Sequence, residues 1–368
     1  MKTLRSLMLS LLPVVLLAGC NTVVLNPSGD IASQQAKLVV QSTVLMLLIV
    51  VPVIVLTLWF AWKFRASNKA ADYRPDWDHS TQLELIIWAA PLLIIIALGA
   101  LTWISTHTMD PYRGLKRIDA QRKVAADTKP LVVEVVALDW KWLFIYPEQG
   151  IALVNEVAAP VDRPIQFKLT ASNVMNAFYV PELAGMVYAM PGMQTQLHAV
   201  SNKPGNFEGF SSNYSGAGFS HMKFRFLSLS DADFAAWVEK NKAAGGAGQL
   251  SRGEYLKLAQ PSEKEPVRRY ASVEPGLYDA IYNRCAEPNK MCQKDMMAID
   301  ASGGLGGAPG IYNLAKLDEA TLRKLGISEL RTDKGRTYVA ALCTPANPGG
   351  ITPTAQTVSA NEEPAARQ

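Results

Sequence analysis

The stretch LVVEVVALDWKWLFIY, residues 131–146, decides the fold of the larger part of the chain. Its first half is rich in β-branched residues, and its second half continues the same strand pattern after a polar step. Further on, IQFKLTA and QTQLHAV alternate apolar with polar residues, and shorter runs follow at 178–180, 207–210 and 223–229. Pro and Gly separate these runs, and no long helical pattern interrupts them. The pattern therefore predicts an antiparallel β-sandwich of Greek-key type over residues 130–229.

Two long apolar runs precede this domain, at residues 38–62 and 83–106. Each is nearly free of charge and long enough to cross a hydrocarbon core of about 30 Å as a helix. Trp59 and Trp103 lie near the ends of the runs, where tryptophan anchors helices at the membrane surface. The sequence therefore predicts two transmembrane helices joined by a short loop at 63–80.

The first 19 residues have the pattern of a bacterial lipoprotein signal peptide. Lys2 and Arg5 precede a short apolar core that ends in LAGC. Cleavage before Cys20 would leave a mature chain that starts with a lipid-modified cysteine, carrying palmitate, and continues through an exported segment at 20–37. An uncleaved apolar anchor with an incidental cysteine is the alternative.

The orientation in the membrane follows from this signal. With Cys20 outside, the first helix runs inward, the loop at 63–80 is cytoplasmic, and everything after about Thr106 is periplasmic. The inner loop is basic, as short cytoplasmic loops are. A similar number of Lys and Arg residues at 113–123 lies on the outer side, so charge alone leaves the orientation nearly undecided. We expect a protein of the bacterial inner membrane with a large periplasmic C-terminal domain.

Composition narrows the classes of function. The 368 residues carry a formal net charge of +4, which is too small and dispersed to argue for nucleic-acid binding. Four cysteines are too few for a disulfide scaffold. The sequence contains no serine nucleophile elbow, phosphate loop or paired-carboxylate motif. We therefore expect no catalytic and no cofactor-binding residues in this polypeptide alone.

The loop FEGFSSNYSGAGFSHMKFRF, residues 207–226, resembles the binuclear copper loop of respiratory oxidase subunit II. The copper version has two cysteines four residues apart, a histidine four residues later and a methionine three beyond it. Those places hold Ser211, Ser215, Phe219 and Met222. Copper pairs need soft thiolates as bridging ligands, and hydroxyls and a phenyl ring cannot replace them. The loop is therefore expected to hold no metal.

Other residues near this loop also fall short of a copper site. The upstream histidine of the copper version would sit in SNVMN, where this chain has Asn176, and only Met222 is retained. His221 is predicted to face away from Met222 in an extended segment, as a surface histidine. A relay of Cu(I) ligands is an alternative use of soft side chains, but adaptable packing at a subunit interface is favoured for Met175, Met186, Met190, Met193 and His198.

Longer stretches extend the resemblance beyond the loop. WDHSTQLELIIWAAPLLIII, DWKWLFIYPEQG, SNVMNAFYVPELAGMVYAMPGMQTQLHAV and NYSGAGFSHMKF are similar to subunit II of the bacterial bo-type ubiquinol oxidases, over roughly residues 17–282. The resemblance implies a cupredoxin-like sandwich that lacks copper. It also implies that the chain is subunit II of a proton-pumping haem-copper ubiquinol oxidase of the respiratory chain, which oxidises quinol and reduces oxygen to water.

The same resemblance implies the cofactors and partners. Haem groups, the catalytic copper and the quinol site would belong to the large subunit I, and this chain would hold no cofactor. Its partners would be subunit I, the smaller subunits and membrane lipid, with ubiquinol as the substrate of the complex and no role for cytochrome c. Two alternatives stay open, a lipid-anchored cupredoxin-like assembly or binding protein and a cytochrome c oxidase subunit II.

Three residues receive a role from the resemblance. In this family the glutamate of the HSxxxE pattern marks the entrance of a proton channel that continues into subunit I, which assigns proton entry to Glu84. A glutamate solvated by lipid headgroups is the alternative. Trp140 and Trp142 match a position beside the copper centre, where an aromatic residue lies on the electron path. Without copper, we expect both to pack between the sandwich and the large subunit.

The segment at 230–284 resembles the aromatic-rich extension of quinol oxidase subunit II. Asp231 is predicted to cap a helix in which Phe234, Trp237 and Val238 share one face. SRGEYLKL then opens with a serine and a glutamate at capping-box spacing. A helical tail folded on its own sandwich is favoured over a ligand-binding role for the aromatic residues Tyr255, Tyr270, Tyr278 and Tyr282.

The resemblance fades in the C-terminal extension at 285–368. Cys285, Cys292 and Cys343 are three exported thiols, so at most one intramolecular disulfide can form. Cys285 and Cys292 are the nearest pair, but the connectivity stays open. LDEATLRKLG is typical of a short helix, and the residues from Pro345 onward are typical of disorder.

Overall fold

The computed structural model describes residues 22–72, 76–243, 248–288, 290–301, 331–333 and 336–338. Within these residues the chain forms two long helices, a two-sheet sandwich and an extension of short helices and strands, as predicted. The predicted signal peptide, Cys20, Cys343, the helix LDEATLRKLG and the tail from Pro345 onward lie outside the described residues.

Two apolar helices precede the sandwich, α1 (Asp30–Lys63) and α2 (Thr81–Thr108). Both are long and apolar enough to cross a membrane, and none of the residues in their most apolar windows is buried within the chain. Both are longer than predicted. The helix α1 starts well before residue 38 because its first turn belongs to the domain, where Ala32 is buried and Ile31 packs against the sandwich core.

The strands of the sandwich are, in chain order, β1 (Leu131–Leu138), β2 (Lys141–Tyr146), β3 (Ile151–Val154), β4 (Glu156–Pro160), β5 (Ile165–Ala171), β6 (Asn176–Tyr179), β7 (Val187–Ala189), β8 (Thr195–Ala199), β9 (Gly205–Ser211) and β10 (Lys223–Leu229). Short strands of the extension follow as β11 (Gln249–Leu250), β12 (Arg269–Tyr270) and β13 (Ser272–Val273). One sheet has the order β12-β3-β2-β1-β5-β8, and the other has the order β4-β10-β9-β6-β7.

The sandwich is mixed, whereas a purely antiparallel one was predicted. Strand β1 pairs with β5 in parallel, and β4 pairs with β10 in parallel. The reason is that the chain crosses to the second sheet at β4 before it returns to the first sheet at β5. A parallel neighbour requires such a crossover connection, which strand patterns alone do not reveal.

Aromatic side chains fill the space between the sheets. Trp142 of β2 packs edge-on against Phe178 and Phe224, with ring centroids 5.4 and 5.7 Å apart, and the two phenyl rings stack at 5.1 Å. Trp142 is 0 % exposed. Its predicted place at the interface with a large subunit is therefore wrong, because the side chain is fully enclosed within its own domain.

The first helix of the extension, α3 (Asp231–Ala243), closes one end of this core. Phe234 and Val238 are buried, and Trp237 lies 5.6 Å from the Tyr146 ring. The helix is capped by Ser230 and not by the predicted Asp231. The Ser230 hydroxyl accepts a hydrogen bond from the backbone N–H of Asp233 at 3.1 Å. Serine and aspartate are about equally good N-cap residues, so the sequence does not decide between the two neighbours.

The rest of the extension covers the outer face of the first sheet. Ser251 caps α4 (Arg252–Leu258) by accepting from the Glu254 N–H, as predicted, and α5 (Leu277–Tyr282) follows. Tyr255, Tyr270 and Tyr278 are buried in a second core between the extension and the sheet, which confirms the packing interpretation. The extension also adds β12 to the edge of the sheet.

The nearest cysteine pair forms a disulfide. Cys285 and Cys292 are bonded to each other, directly before helix α6 (Gln293–Ala301). A last antiparallel pair joins β14 (Arg331–Asp333) to β15 (Arg336–Tyr338). The disulfide thus lies just after α5, at the C-terminal end of the aromatic-rich extension.

Candidate functional site: the loop between β9 and β10

The candidate site is the loop that joins β9 to β10 at the open end of the second sheet. The strands pair as an antiparallel hairpin, and the Ser211 N–H donates to the Met222 carbonyl at 3.2 Å to close the base of the loop. A short 3-10 turn at Phe219–His221 leads back into β10. The loop thus carries every residue that the sequence aligned with copper ligands, except Asn176.

Asn176 and Ser211 lie in contact at the buried end of the loop. The Ser211 hydroxyl is 3.1 Å from Asn176 Oδ1 and 3.2 Å from the Asn213 carbonyl, and it accepts from the Ala177 N–H at 3.3 Å. The Asn176 amide in turn donates to the Val174 carbonyl at 3.1 Å. Asn176 is 1 % and Ser211 3 % exposed. The protein itself therefore occupies the hydrogen-bonding groups of both side chains.

Ser215 and Met222 form the second half of the site. The Ser215 hydroxyl lies 4.0 Å from the Met222 sulfur, and Met222 is buried. Phe219 packs edge-on against Tyr214 at 5.5 Å between centroids. The structure thus brings Asn176 to Ser211 and Ser215 to Met222, while Phe219 is engaged with a neighbouring ring of the loop.

This set of side chains does not fit a binuclear copper centre. Amide and hydroxyl oxygens are neutral, hard donors, and one thioether is the single soft ligand. The hydroxyl of Ser211 is already engaged with backbone and amide groups. Across the described residues, no three His, Cys, Asp or Glu side chains come close enough together to hold a metal ion.

Trp140 covers the loop from outside. Its backbone φ is +67°, and its indole N–H donates to the Ser215 carbonyl at 3.0 Å. A Cβ on Gly218 would lie 2.5 Å from the indole ring, and one on Gly216 would lie 3.1 Å from it. The two glycines are therefore needed for the close approach of the tryptophan. The sequence signal for this approach is the GAG that follows NYS, residues 216–218.

The other histidine and methionine side chains that the sequence offered as ligands have separate surroundings. His221 is exposed while Met222 is buried, as predicted, although the segment is a 3-10 turn and not an extended strand. The Ser212 hydroxyl lies 2.7 Å from the Met186 sulfur. The His198 Nδ1 lies 3.1 Å from the Pro111 carbonyl, to which it donates. Met175, Met186 and Met193 are exposed, so their packing against a partner stays a prediction.

Glu84 lies far from this loop, in the first turn of α2. One carboxylate oxygen is 2.7 Å from His79 Nδ1, and His79 Nε2 is 3.2 Å from the Thr81 hydroxyl. The side chains of Glu84 and His79 are 51 % and 62 % exposed. An imidazole and a carboxylate in contact can exchange a proton with water. His79 belongs to the HSxxxE pattern, but its contact with Glu84 was not foreseen.

The sandwich and the extension each match a family model, and the chain has relatives among known proteins. The family model described as "Cytochrome C oxidase subunit II, periplasmic domain" matches residues 148–227, and "COX Aromatic Rich Motif" matches residues 244–289. The chain is 48 % identical to the cytochrome bo(3) ubiquinol oxidase subunit 2 of Pseudomonas aeruginosa over 276 residues, which is 75 % of this chain and 80 % of that protein. It is 51 % identical to the ubiquinol oxidase subunit 2 of Acetobacter aceti over 267 residues, 73 % of this chain and 84 % of that protein.

A solved structure adds one comparison. The periplasmic domain of subunit II of cytochrome oxidase from Bradyrhizobium japonicum is 26 % identical and covers 33 % of this chain and 97 % of that chain. Its TM-score is 0.31.

Proposed function

Because the chain belongs to the family of subunit 2 of the bacterial ubiquinol oxidases, we propose that it serves as subunit II of a proton-pumping haem-copper ubiquinol oxidase in the inner membrane. The complex oxidises ubiquinol, reduces oxygen to water and moves protons outward. The observation that carries this proposal is the buried contact between Asn176 and Ser211, which occupies the place where a periplasmic electron relay would need copper ligands.

The side chains of the loop do not suit copper, which supports an electron route that does not pass through this domain. Ubiquinol dissolves in the bilayer, so its electrons enter the complex from the membrane. A copper relay that receives electrons from cytochrome c then has no purpose. We assign the haem groups, the catalytic copper and the quinol site to subunit I, with which this chain and the smaller subunits assemble.

The chain itself supplies structure to the complex. The helices α1 and α2 are the brace in the membrane, and the sandwich with its extension is the periplasmic cap. Trp140 remains the proposed interface aromatic, since it is only partly buried and lies over the loop. The exposed side chains of Met175, Met186 and Met193 are suited to an adaptable contact with subunit I.

Glu84 is the residue that we propose for proton entry. Its carboxylate lies at the N-terminal end of α2, where the helix dipole favours a negative charge. His79 is bonded to the carboxylate and is open to water, so it holds Glu84 in place beside a second group that can carry a proton. Intramembrane and interfacial acids with such partners are typical of proton pathways.

Replacing Glu84 tests this role within the assembled complex. The variant Glu84→Gln keeps the shape of the side chain and removes its ability to take up a proton, so oxygen reduction should slow about tenfold with unchanged haem content. Asp78→Asn is the matched control, because it lies in the same loop and loses the same charge. Equal turnover of Glu84→Gln and the wild type would remove Glu84 from the mechanism.

We propose lipidation at Cys20 on the periplasmic side from the signal pattern, and a contact of the described N-terminal residues bears on the side. The N–H groups of Ser28 and Gly29 donate to the Glu182 carbonyl of the sandwich at 2.8 and 2.9 Å. Since this contact holds the residues before α1 at the sandwich, it supports our proposal that Cys20, eight residues before Ser28 in the sequence, is modified on the sandwich side of the membrane. We expect Cys20→Ala to abolish both signal cleavage and uptake of labelled palmitate. A variant that still acquires the label would refute the assignment.

Isolation from native membranes tests the function as a whole. A tagged chain should co-purify with a large haem-bearing subunit, and the complex should reduce oxygen with quinol and not with cytochrome c as the reductant. If no haem-bearing subunit accompanies the chain, an assembly or binding protein becomes the better interpretation. Activity with cytochrome c would favour the cytochrome c oxidase alternative instead.

A further inference from the structure

A cavity of about 340 Å³ lies where the two long helices meet the sandwich. The first turns of α1, the segment after α2 at 108–117, the turn at 185–187 and the end of β8 form its walls. The side chain of Gln35 reaches Gly185 across one wall, and His198 closes another. Of the residues given a role in the proposed function, only Met186 lines this cavity.

The cavity lies at the sandwich end of both apolar helices. The helix α1 begins at Asp30 and α2 ends at Thr108, and both residues line the cavity, so the apolar parts of both helices start directly beneath it. Just below, Val39, Trp103 and Ile104 are 47 %, 69 % and 60 % exposed. An amphiphile with its head in the cavity would therefore have apolar surface available for its chains.

Three cations, Arg113, Lys116 and Arg117, and two carboxylates, Asp30 and Asp110, line the cavity. Asp30 is 4 % exposed and is neutralised by Arg117 at 2.8 Å, with a further hydrogen bond from Gln34 at 2.8 Å. That pair is complete within the protein. Arg113 donates to the His107 carbonyl at 3.0 Å and keeps its other donors, and Lys116 also lines the cavity. Among the described residues, no carboxylate pairs with Arg113 or Lys116.

We infer that this cavity binds the phosphate of a phospholipid from the outer leaflet. Two cations in the lining that have no carboxylate within ion-pair distance among the described residues suit a phosphate group, to which guanidinium and ammonium donate strong hydrogen bonds. His198 donates through Nδ1 to Pro111, which leaves Nε2 as an acceptor. Together with Asp110 it can accept from the ammonium or hydroxyl groups that headgroups carry beyond the phosphate.

The size of the cavity agrees with this occupant. A volume near 340 Å³ is at the lower end of the range for small-molecule sites, about 300–1,000 Å³, and accommodates a headgroup but not whole acyl chains. The bound lipid would fill the space between the helix pair and the sandwich. This inference depends on α1 and α2 spanning the membrane and not on the identity of the electron donor.

Lipid retention by the purified oxidase complex tests the inference. Delipidated complex is incubated with phosphatidylglycerol, phosphatidylethanolamine or diacylglycerol of the same chains, and bound lipids are counted by native mass spectrometry. Wild-type complex should retain one more phospholipid than Arg113→Gln/Lys116→Gln, whose affinity for that lipid should fall at least tenfold. Diacylglycerol, which lacks phosphate, should not occupy the site.

A matched control separates the cavity from general electrostatics. Lys123→Gln/Lys129→Gln removes the same charge from the same connecting segment outside the cavity and should behave like the wild type. Equal lipid counts in all three complexes would overturn the inference, as would equal loss in the control. Displacement by millimolar inorganic phosphate would show a free-anion site instead of a lipid site. If the double variant fails to assemble, Lys116→Gln alone should still lower the affinity several-fold, and unchanged affinity would overturn the inference.

Discussion

Glu156 connects the two sheets at one edge of the sandwich, and its replacement should weaken the domain measurably. One oxygen lies 2.7 Å from Arg225 of the neighbouring strand β10, and the other lies 3.2 Å from Arg269 of β12 in the opposite sheet. The Trp237 indole N–H is 3.4 Å from the same carboxylate. The Glu156 side chain is 3 % exposed, so its charge depends on these partners.

The expected loss follows from the exposure of the partners. Removing one member of a fully buried ion pair costs about 3–5 kcal/mol, because the other charge is left buried. Here the Arg225 and Arg269 side chains are 56 % and 34 % exposed and stay hydrated. We therefore expect Glu156→Gln to lower the free energy of unfolding by about 2 kcal/mol, the contribution of charge-assisted hydrogen bonds. For a domain of this size that is about 4–8 °C in Tm.

A control is provided by the glutamate on the other side of the same arginine. Glu208 of β9 also lies opposite Arg225 in the sheet register, but its side chain is 60 % exposed and pairs with Lys223 at 2.9 Å. Glu208→Gln should change stability by less than about 0.5 kcal/mol. Thermal unfolding of the full chain in detergent, followed by circular dichroism, measures both. Equal shifts in the two variants would refute the argument from burial.

Glu134 on the outer face of the first sheet and Gly218 in the β9–β10 loop give two further predictions. Burial raises the pKa of Glu134 to about 7 from 4.5, so the folded state keeps a proton that the unfolded chain releases. The free energy of unfolding should therefore fall by about 1–2 kcal/mol as pH rises from about 4.5 to about 7. Urea unfolding across that range measures this slope, and Glu134→Gln should abolish it. Gly218→Ala places a Cβ 2.5 Å from the Trp140 ring and should lower the free energy of unfolding by about 1–3 kcal/mol, measured by thermal unfolding. In the control Gly253→Ala the nearest atom would be 3.9 Å away, so this variant should be as stable as the wild type. Equal melting temperatures of the two variants would contradict the close approach of Trp140 to Gly218.

Sequence patterns were sufficient to predict the strands and the ligand positions in the β9–β10 loop. They did not predict which faces of the strands are covered. The spacing of Ser211, Ser215 and Met222 placed them in one loop, and the structure brings two of them close. Trp142 was misplaced because it faces the core between the sheets, and the extension buries the other face of β2 as well. Even Lys141 is 1 % exposed there, and burial lowers the pKa of its ammonium. Alternation along a strand cannot reveal a second covering layer.

The contact of His79 with Glu84 could not be predicted from the sequence for a different reason. It depends on how the loop turns into α2, which the spacing of the two residues does not determine. The same holds for the disulfide, since three cysteines allow several pairings and only the approach of the backbones decides among them.

The attachment of the chain on both sides of the helix pair has a consequence for assembly. Gly29, before α1, approaches the sandwich so closely that a Cβ would lie 2.4 Å from the Leu183 carbonyl oxygen, and Pro111, after α2, accepts a hydrogen bond from the backbone of His198 at 3.2 Å. Two tethers remove the freedom of the cap to rotate about a single linker. The cap therefore arrives at a large partner already oriented, and less rotational entropy is lost when the two surfaces meet.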